Sequence, residues 1–170
     1  MNAFLHSIGY QHWVLPVLLA IPVLGAMAIW VQGALGGREA ELRSEAAAGA
    51  PADEVVSGAA HAARAIALAT FLLEFVVSLG LWWAFDPGTS SWQFLFNRPW
   101  IPAWGVRFTL AIDGIALMMI LLTTFIMVLA SLGSWTYIRA RTHSFYALML
   151  LLTTGMLGVF MSLDLFLFYV

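Results

Sequence analysis

Four stretches of roughly twenty apolar residues, each with few or no charges, recur along the chain. A helix of about that length crosses the roughly 30 Å hydrocarbon layer of a bilayer. In lipid every backbone N–H and C=O must be satisfied within the protein, so such stretches commit a chain to packed transmembrane helices. The composition agrees. Of 170 residues 62% are apolar and only 9% charged, where a soluble domain is roughly a quarter charged. The net charge of −2, with seven Arg and no Lys, supplies no basic footprint for nucleic acid. The absence of Cys excludes disulfides, thiolate metal sites, a Cys nucleophile and iron–sulfur ligation by this chain.

The expected class is therefore an all-α polytopic membrane protein. The first crossing is read at about residues 13–31, bounded by Trp13 and Trp30 and bent by Pro16 and Pro22. No basic residue precedes it and it exceeds a signal core, so it is not a cleaved signal peptide. Residues 32–63, rich in Ala, Gly, Glu and Arg, read first as a polar, solvated loop, with surface helix broken at Gly49-Ala50-Pro51 as the alternative for part of it. The second crossing spans about 65–85. Residues 86–112, rich in Trp, Pro and Gly, form a surface segment, and the alternation over Val106–Ile112 predicts a strand or hairpin. The third crossing covers about 113–135 and the fourth 145–162. Asp164 opens a fifth helix that runs onward to Val170, so the chain reads as the N-terminal piece of a longer protein.

Orientation follows the distribution of Arg. Arg38, Arg43, Arg64, Arg139 and Arg141 lie on the side of 32–63 and 136–143, against Arg98 and Arg107 on the other. That places 32–63 in the cytoplasm, and the N-terminus and 86–112 outside.

Glu74 is the residue with most chemical content. It stands near the middle of its span, where an ionised carboxylate costs about 2.5–3.5 kcal/mol on insertion scales. Thr70 and Ser78, at i−4 and i+4, share its face. Two readings stand side by side: a polar stripe that passes protons, or a neutral Glu hydrogen-bonded to a neighbouring helix. Asp113 and Asp164 precede helices and read first as caps. Thr123 and Thr124 bond their own helix carbonyls, Thr153, Thr154 and Gly155 serve close packing, and the Met residues fill space. The four His are too far apart in sequence to suggest a ligand set. No phosphate loop, dinucleotide fingerprint, haem site or nucleophile elbow occurs, so the residues alone describe a polytopic membrane subunit with one candidate ion route and no electron carrier of its own.

Pro99-Trp100-Ile101-Pro102, Ala111-Ile112-Asp113-Gly114-Ile115, Ser134-Trp135, Gly158-Val159-Phe160 and Leu163-Asp164-Leu165-Phe166-Leu167-Phe168-Tyr169 carry a resemblance in their order and spacing. The stretch from Pro99 to Val170 resembles the antiporter-like subunit M family of bacterial NADH–quinone oxidoreductase, respiratory complex I; the 32–63 segment is longer than that family suggests. The resemblance implies a proton-translocating membrane-arm subunit of roughly fourteen helices in the bacterial inner membrane. NADH, flavin, iron–sulfur clusters and quinone would be handled by partner subunits, with none of these cofactors in this chain. Its partners would be sister antiporter-like subunits and the lipid bilayer. The enzyme class implied is a translocase whose central lysines and fifth-helix glutamate carry the proton, the glutamate falling just after Val170. Asp113 and Asp164 alone match family motif positions; the role proposed for Glu74 rests on burial. The alternatives are a subunit of a multi-subunit sodium/proton antiporter or of a membrane-bound hydrogenase, and a non-transporting membrane scaffold.

Overall fold

The computed structural model describes residues 9–46, 52–89, 91–138 and 141–169; side chains at 36–46 and 52–59 lie outside the description. Its elements are α1 (Tyr10–Ala46), α2 (Ala52–Ala84), β1 (Gln93–Ile101), a 3-10 turn (Pro102–Trp104), β2 (Val106–Ile112), α3 (Gly114–Gly133), α4 (Thr142–Met161) and the short α5 (Leu165–Tyr169). Four segments are long and apolar enough to cross a membrane: Tyr10–Leu35, Ala60–Ala84, Gly114–Gly133 and Thr142–Met161. The class matches the expectation, including a hairpin before the third crossing.

The expected polar loop at 32–63 differs in the structure. α1 continues to Ala46 and α2 begins at Ala52, so helix occupies both flanks of that stretch. The reason is local. Ala, Glu and Arg are strong helix formers, and one or two glycines cost only about 1 kcal/mol each, too little to end a helix already anchored in a bundle. The expected break at Gly49-Ala50-Pro51 lies outside the described residues, as do the side chains of Arg38, Arg43, Arg139 and the acidic residues of that stretch.

α1 packs against both α2 and α4, and α2 against α3. Their apolar contacts fall into two separate clusters. One gathers Tyr10, Val14, Leu15 and Leu18 of α1, Leu81 of α2, Leu117 and Ile120 of α3, and Leu157 and Met161 of α4 beneath the hairpin residues Phe94, Leu110 and Ile112. The other joins Ala26 and Ile29, Ala63, Ala67 and Phe71, Met127 and Val128, and Tyr146, Ala147 and Leu150. The outward faces, such as Met118, Leu122, Phe125 and Leu129 on α3, are apolar and exposed, as a lipid-facing helix requires.

The antiparallel hairpin closes one end of the bundle. Its register pairs Phe96 with Leu110, Asn97 with Thr109, Arg98 with Phe108 and Ile101 with Val106. An irregularity between Gln93 and Phe96 places Phe94 at φ 57°, which turns its ring into the core. A left-handed aromatic residue is costly, and here the buried ring holds it. The hairpin is tied to the α4–α5 connection by the Leu163 amide donating to the Thr109 carbonyl at 3.1 Å. Trp100 and Trp104 meet the Phe166 ring edge-on.

Candidate functional site

Glu74 is fully buried, and neither carboxyl oxygen has a hydrogen-bond partner. Its position follows from helical period: Ala63, Ala67, Phe71, Glu74, Ser78 and Leu81 are the buried stripe of α2. Polarity enters that stripe at Arg64 near one end and, between the two apolar clusters, at Glu74 and Ser78.

The other helices change character at the same depth. In α3 the first cluster ends at Ile120 and the second begins at Met127, and buried Thr124 falls between. In α4 the corresponding limits are Leu157 and Leu150, and Thr153 is the fully buried residue between them. In α1 the interval from Leu18 to Ala26 holds buried Pro22 and Gly25. Three crossings, α2, α3 and α4, therefore place a buried polar side chain in the layer between the two apolar clusters, and α1 places Pro22 and Gly25 there.

Within the layer, Ser78 Oγ and Thr124 Oγ1 are 2.9 Å apart. Ser78 also donates to the Phe75 carbonyl at 2.8 Å, and Thr124 to the carbonyls of Ile120 at 3.0 Å and Leu121 at 3.1 Å. Thr153 donates to the Met149 carbonyl at 2.9 Å. These hydroxyls are satisfied by helix carbonyls or by each other; the carboxyl is not. Thr70 differs from its expected companions. It is half-buried, bonds its own Ile66 carbonyl at 2.8 Å, and packs on Gly25, where an added Cβ would meet its Cγ2 and Oγ1 at 2.7 Å. It is a contact surface between α1 and α2 more than a part of the enclosed layer.

Asp113 and Asp164 lie at the hairpin end, apart from Glu74. Asp113 accepts the Ala116 amide at 2.7 Å. Asp164 Oδ1 accepts the Phe166 amide at 2.8 Å, and Oδ2 the Arg107 amide at 3.4 Å. Both carboxylates are engaged by the first-turn or neighbouring backbone. No group of three or more His, Asp or Glu among the described residues is placed to hold a metal ion.

At the opposite end of the bundle, sequence reasoning missed a second polar set. Buried Arg64 donates from Nη2 to the Ile138 carbonyl at 2.7 Å, fixing the start of the α2 crossing segment to the α3–α4 connection. Gln32, Ser131, Thr142 and His143 each leave one buried polar atom unpartnered there, as does Arg64 Nε. Ser131 and Thr142 stand at the ends of long apolar runs, where an isolated hydroxyl gives no sequence signal.

No family model matches the chain. It is similar to NADH-quinone oxidoreductase subunit M of Escherichia coli K12, 39% identical over 112 residues, which is 62% of this chain and 22% of that protein. It is 38% identical over 107 residues to NADH-ubiquinone oxidoreductase chain 4 of Arabidopsis thaliana, covering 63% of this chain and 22% of that protein. With subunit M of Pseudomonas aeruginosa it shares 31% identity over 163 residues, 92% of this chain and 28% of that protein. The chain thus spans between a fifth and a third of the length of these relatives. With four membrane-crossing helices and similarity that reaches over nearly its whole length, the chain belongs to the family of NADH-quinone oxidoreductase subunit M and chain 4.

Proposed function

We propose that this chain is part of a proton-translocating membrane-arm subunit of an NADH–quinone oxidoreductase. In this reading, partner subunits hold the flavin and iron–sulfur clusters, oxidise NADH and reduce quinone, and this chain lodges among sister subunits in the bacterial inner membrane. Its share of the work is to take up and release protons at mid-membrane. Glu74 and Ser78 line that path, Thr70 beside them holds α1 against α2, and Asp113 and Asp164 hold the helices that frame it.

The observation that carries the reading is Glu74: a buried carboxyl with no hydrogen-bond partner among the described residues, at the depth where α3 and α4 also bury a threonine. Leaving such a group dry and unpaired costs several kcal/mol. Intramembrane carboxyls that persist at that cost mark ion or proton routes by default. A packing role would be served better by Leu at the same volume.

The test is Glu74→Gln in the intact complex, in sealed inverted vesicles, with NADH oxidation and proton uptake followed together. A lowered number of protons per NADH at unchanged oxidation supports the role. Unchanged stoichiometry removes Glu74 from the path and favours the scaffold reading.

A further inference from the structure

Pro22 sits inside α1 and is buried on the bundle side. Proline has no amide hydrogen, so the Leu18 carbonyl, four residues back, loses its helical donor. In hydrocarbon an orphaned carbonyl must find a donor on a neighbouring group. Leu18 is fully buried and, with Pro22 and Gly25, lies on one stripe of α1.

The level of that carbonyl follows from the α1–α2 contact. Gly25 lies directly against Thr70, with 2.7 Å from its ideal Cβ position to Thr70 Oγ1. The two helices run antiparallel, so each step forward along α2 is a step back along α1. Four residues on from Thr70 is Glu74; four residues back from Gly25 is Ile21; each step is about 6 Å. Helix carbonyls point toward the C-terminus, which carries the Leu18 oxygen up toward the level of Ile21. The carbonyl that Pro22 deprives of its helical amide and the carboxyl without a partner among the described residues therefore lie at about the same depth of the bundle.

We propose that Glu74 and the break at Pro22 form one proton-binding site, in which protonated Glu74 donates its O–H to the Leu18 carbonyl. This rests on the proton-path reading of Glu74. When the proton leaves, the carboxylate is repelled by the carbonyl oxygen and turns to the Ser78–Thr124 hydroxyl pair, one helical turn further along α2, where a hydroxyl gives up its bond to a helix carbonyl to donate to it. Only a proton enters or leaves, so the site alternates between a neutral acid on α1 and an anion on the α2–α3 hydroxyls. Interrupted helices whose freed carbonyls face an ion are a recurring way to build such sites in membranes.

Pro22→Ala restores the missing amide and withdraws the Leu18 oxygen into the helix ladder. Pro16→Ala is the control, because Pro16 frees the His12 carbonyl nearer the hairpin end. In inverted vesicles of the intact complex, Pro22→Ala lowers protons per NADH to the value of Glu74→Gln, the double variant falls no further, and Pro16→Ala keeps the original value. A Pro22→Ala complex with unaltered stoichiometry beside a lowered Glu74→Gln overturns this site and leaves the proton-path reading intact. An unaltered Glu74→Gln overturns both. A fall in Pro16→Ala equal to that in Pro22→Ala assigns the effect to straightening of α1 and overturns the site. Should Pro22→Ala fail to assemble, a density map of the unmodified complex decides: Glu74 within hydrogen-bond distance of the Leu18 oxygen, directly or through one water, supports the site, and a carboxyl turned from a Leu18 oxygen that has another donor overturns it.

Discussion

Asp113, Asp164 and Glu74 meet two different fates, and the contrast assigns their roles. Asp113 spends its charge on the Ala116 amide, and Asp164 on the amides of Phe166 and Arg107. Each satisfies donors that a helix start leaves open, and each lies beside positive dipole ends. Glu74 has no such donor among the described residues. A cap can be tested by what replaces it. Asp113→Ala strips the acceptor and costs about 0.5–2 kcal/mol of stability, whereas Asp113→Asn keeps it and is nearly neutral. Thermal melting of the detergent-purified protein reads the difference as a lower Tm for the Ala variant alone. Equal melting of all three proteins would strip Asp113 of its capping role. Sequence spacing was enough to place both caps, because a cap depends on neighbours within one turn.

At the scale of elements, the contact between α1 and α2 fixes the depth of everything in the polar layer. Gly25 allows the two backbones to approach until Thr70 fills the space a side chain would take. Gly25→Ala puts a methyl where Thr70 Cγ2 and Oγ1 lie at 2.7 Å, and a β-branched side chain has few rotamers into which to retreat. The helices must separate, at a cost of about 1–3 kcal/mol. Thr70→Ala in the same chain removes the obstacle, so the double variant recovers most of the loss. A double-mutant cycle on melting or chemical denaturation measures that coupling. Simple additivity of the two costs would mean that the contact does not limit the approach. This element-scale view also marks where sequence reading ended. Apolar length gave the four crossings and period two gave β2, since both are local signals. That Thr124 and Thr153 join Glu74 depends on the relative depth of separate helices, which no single helix encodes. The bulge at Phe94 and the Arg64–Ile138 clamp were hidden for the same reason, because each is decided by a partner far along the chain. The helical flanks of 47–51 were legible in propensity, but charge content suggested a loop instead.

For the whole molecule, the two ends of the bundle are unlike, and the difference predicts which way it sits. The hairpin end carries Arg98 and Arg107, with Arg107 Nε bonded to Asn97 Oδ1 at 2.7 Å. The other end carries Arg38, Arg43, Arg64, Arg139 and Arg141 in the sequence. Retention of Arg on the cytoplasmic side during insertion places the hairpin outside. These 170 residues hold no cysteine, so a single substitution adds one thiol to this part of the subunit, and the unsubstituted protein gives the background labelling. Trp104, at the hairpin turn, is 73% exposed, and Tyr137, on the α3–α4 connection, 85%. In intact cells a membrane-impermeant thiol reagent labels Trp104→Cys and spares Tyr137→Cys; in inverted vesicles the pattern exchanges. The opposite pattern would set the Arg-rich end outside. That outcome would also exchange the faces of the membrane from which the layer around Glu74 is filled and emptied. Its two sides are not equivalent: toward the hairpin lie the Ser78–Thr124 hydroxyls, and toward the other end an apolar layer of Ala67, Phe71 and Leu150 before the unpartnered groups around Arg64. In the proton-path reading apolar side chains close the layer on both sides, so orientation decides which of the two clusters faces the side of proton entry, and the labelling experiment fixes that before any pumping assay is interpreted.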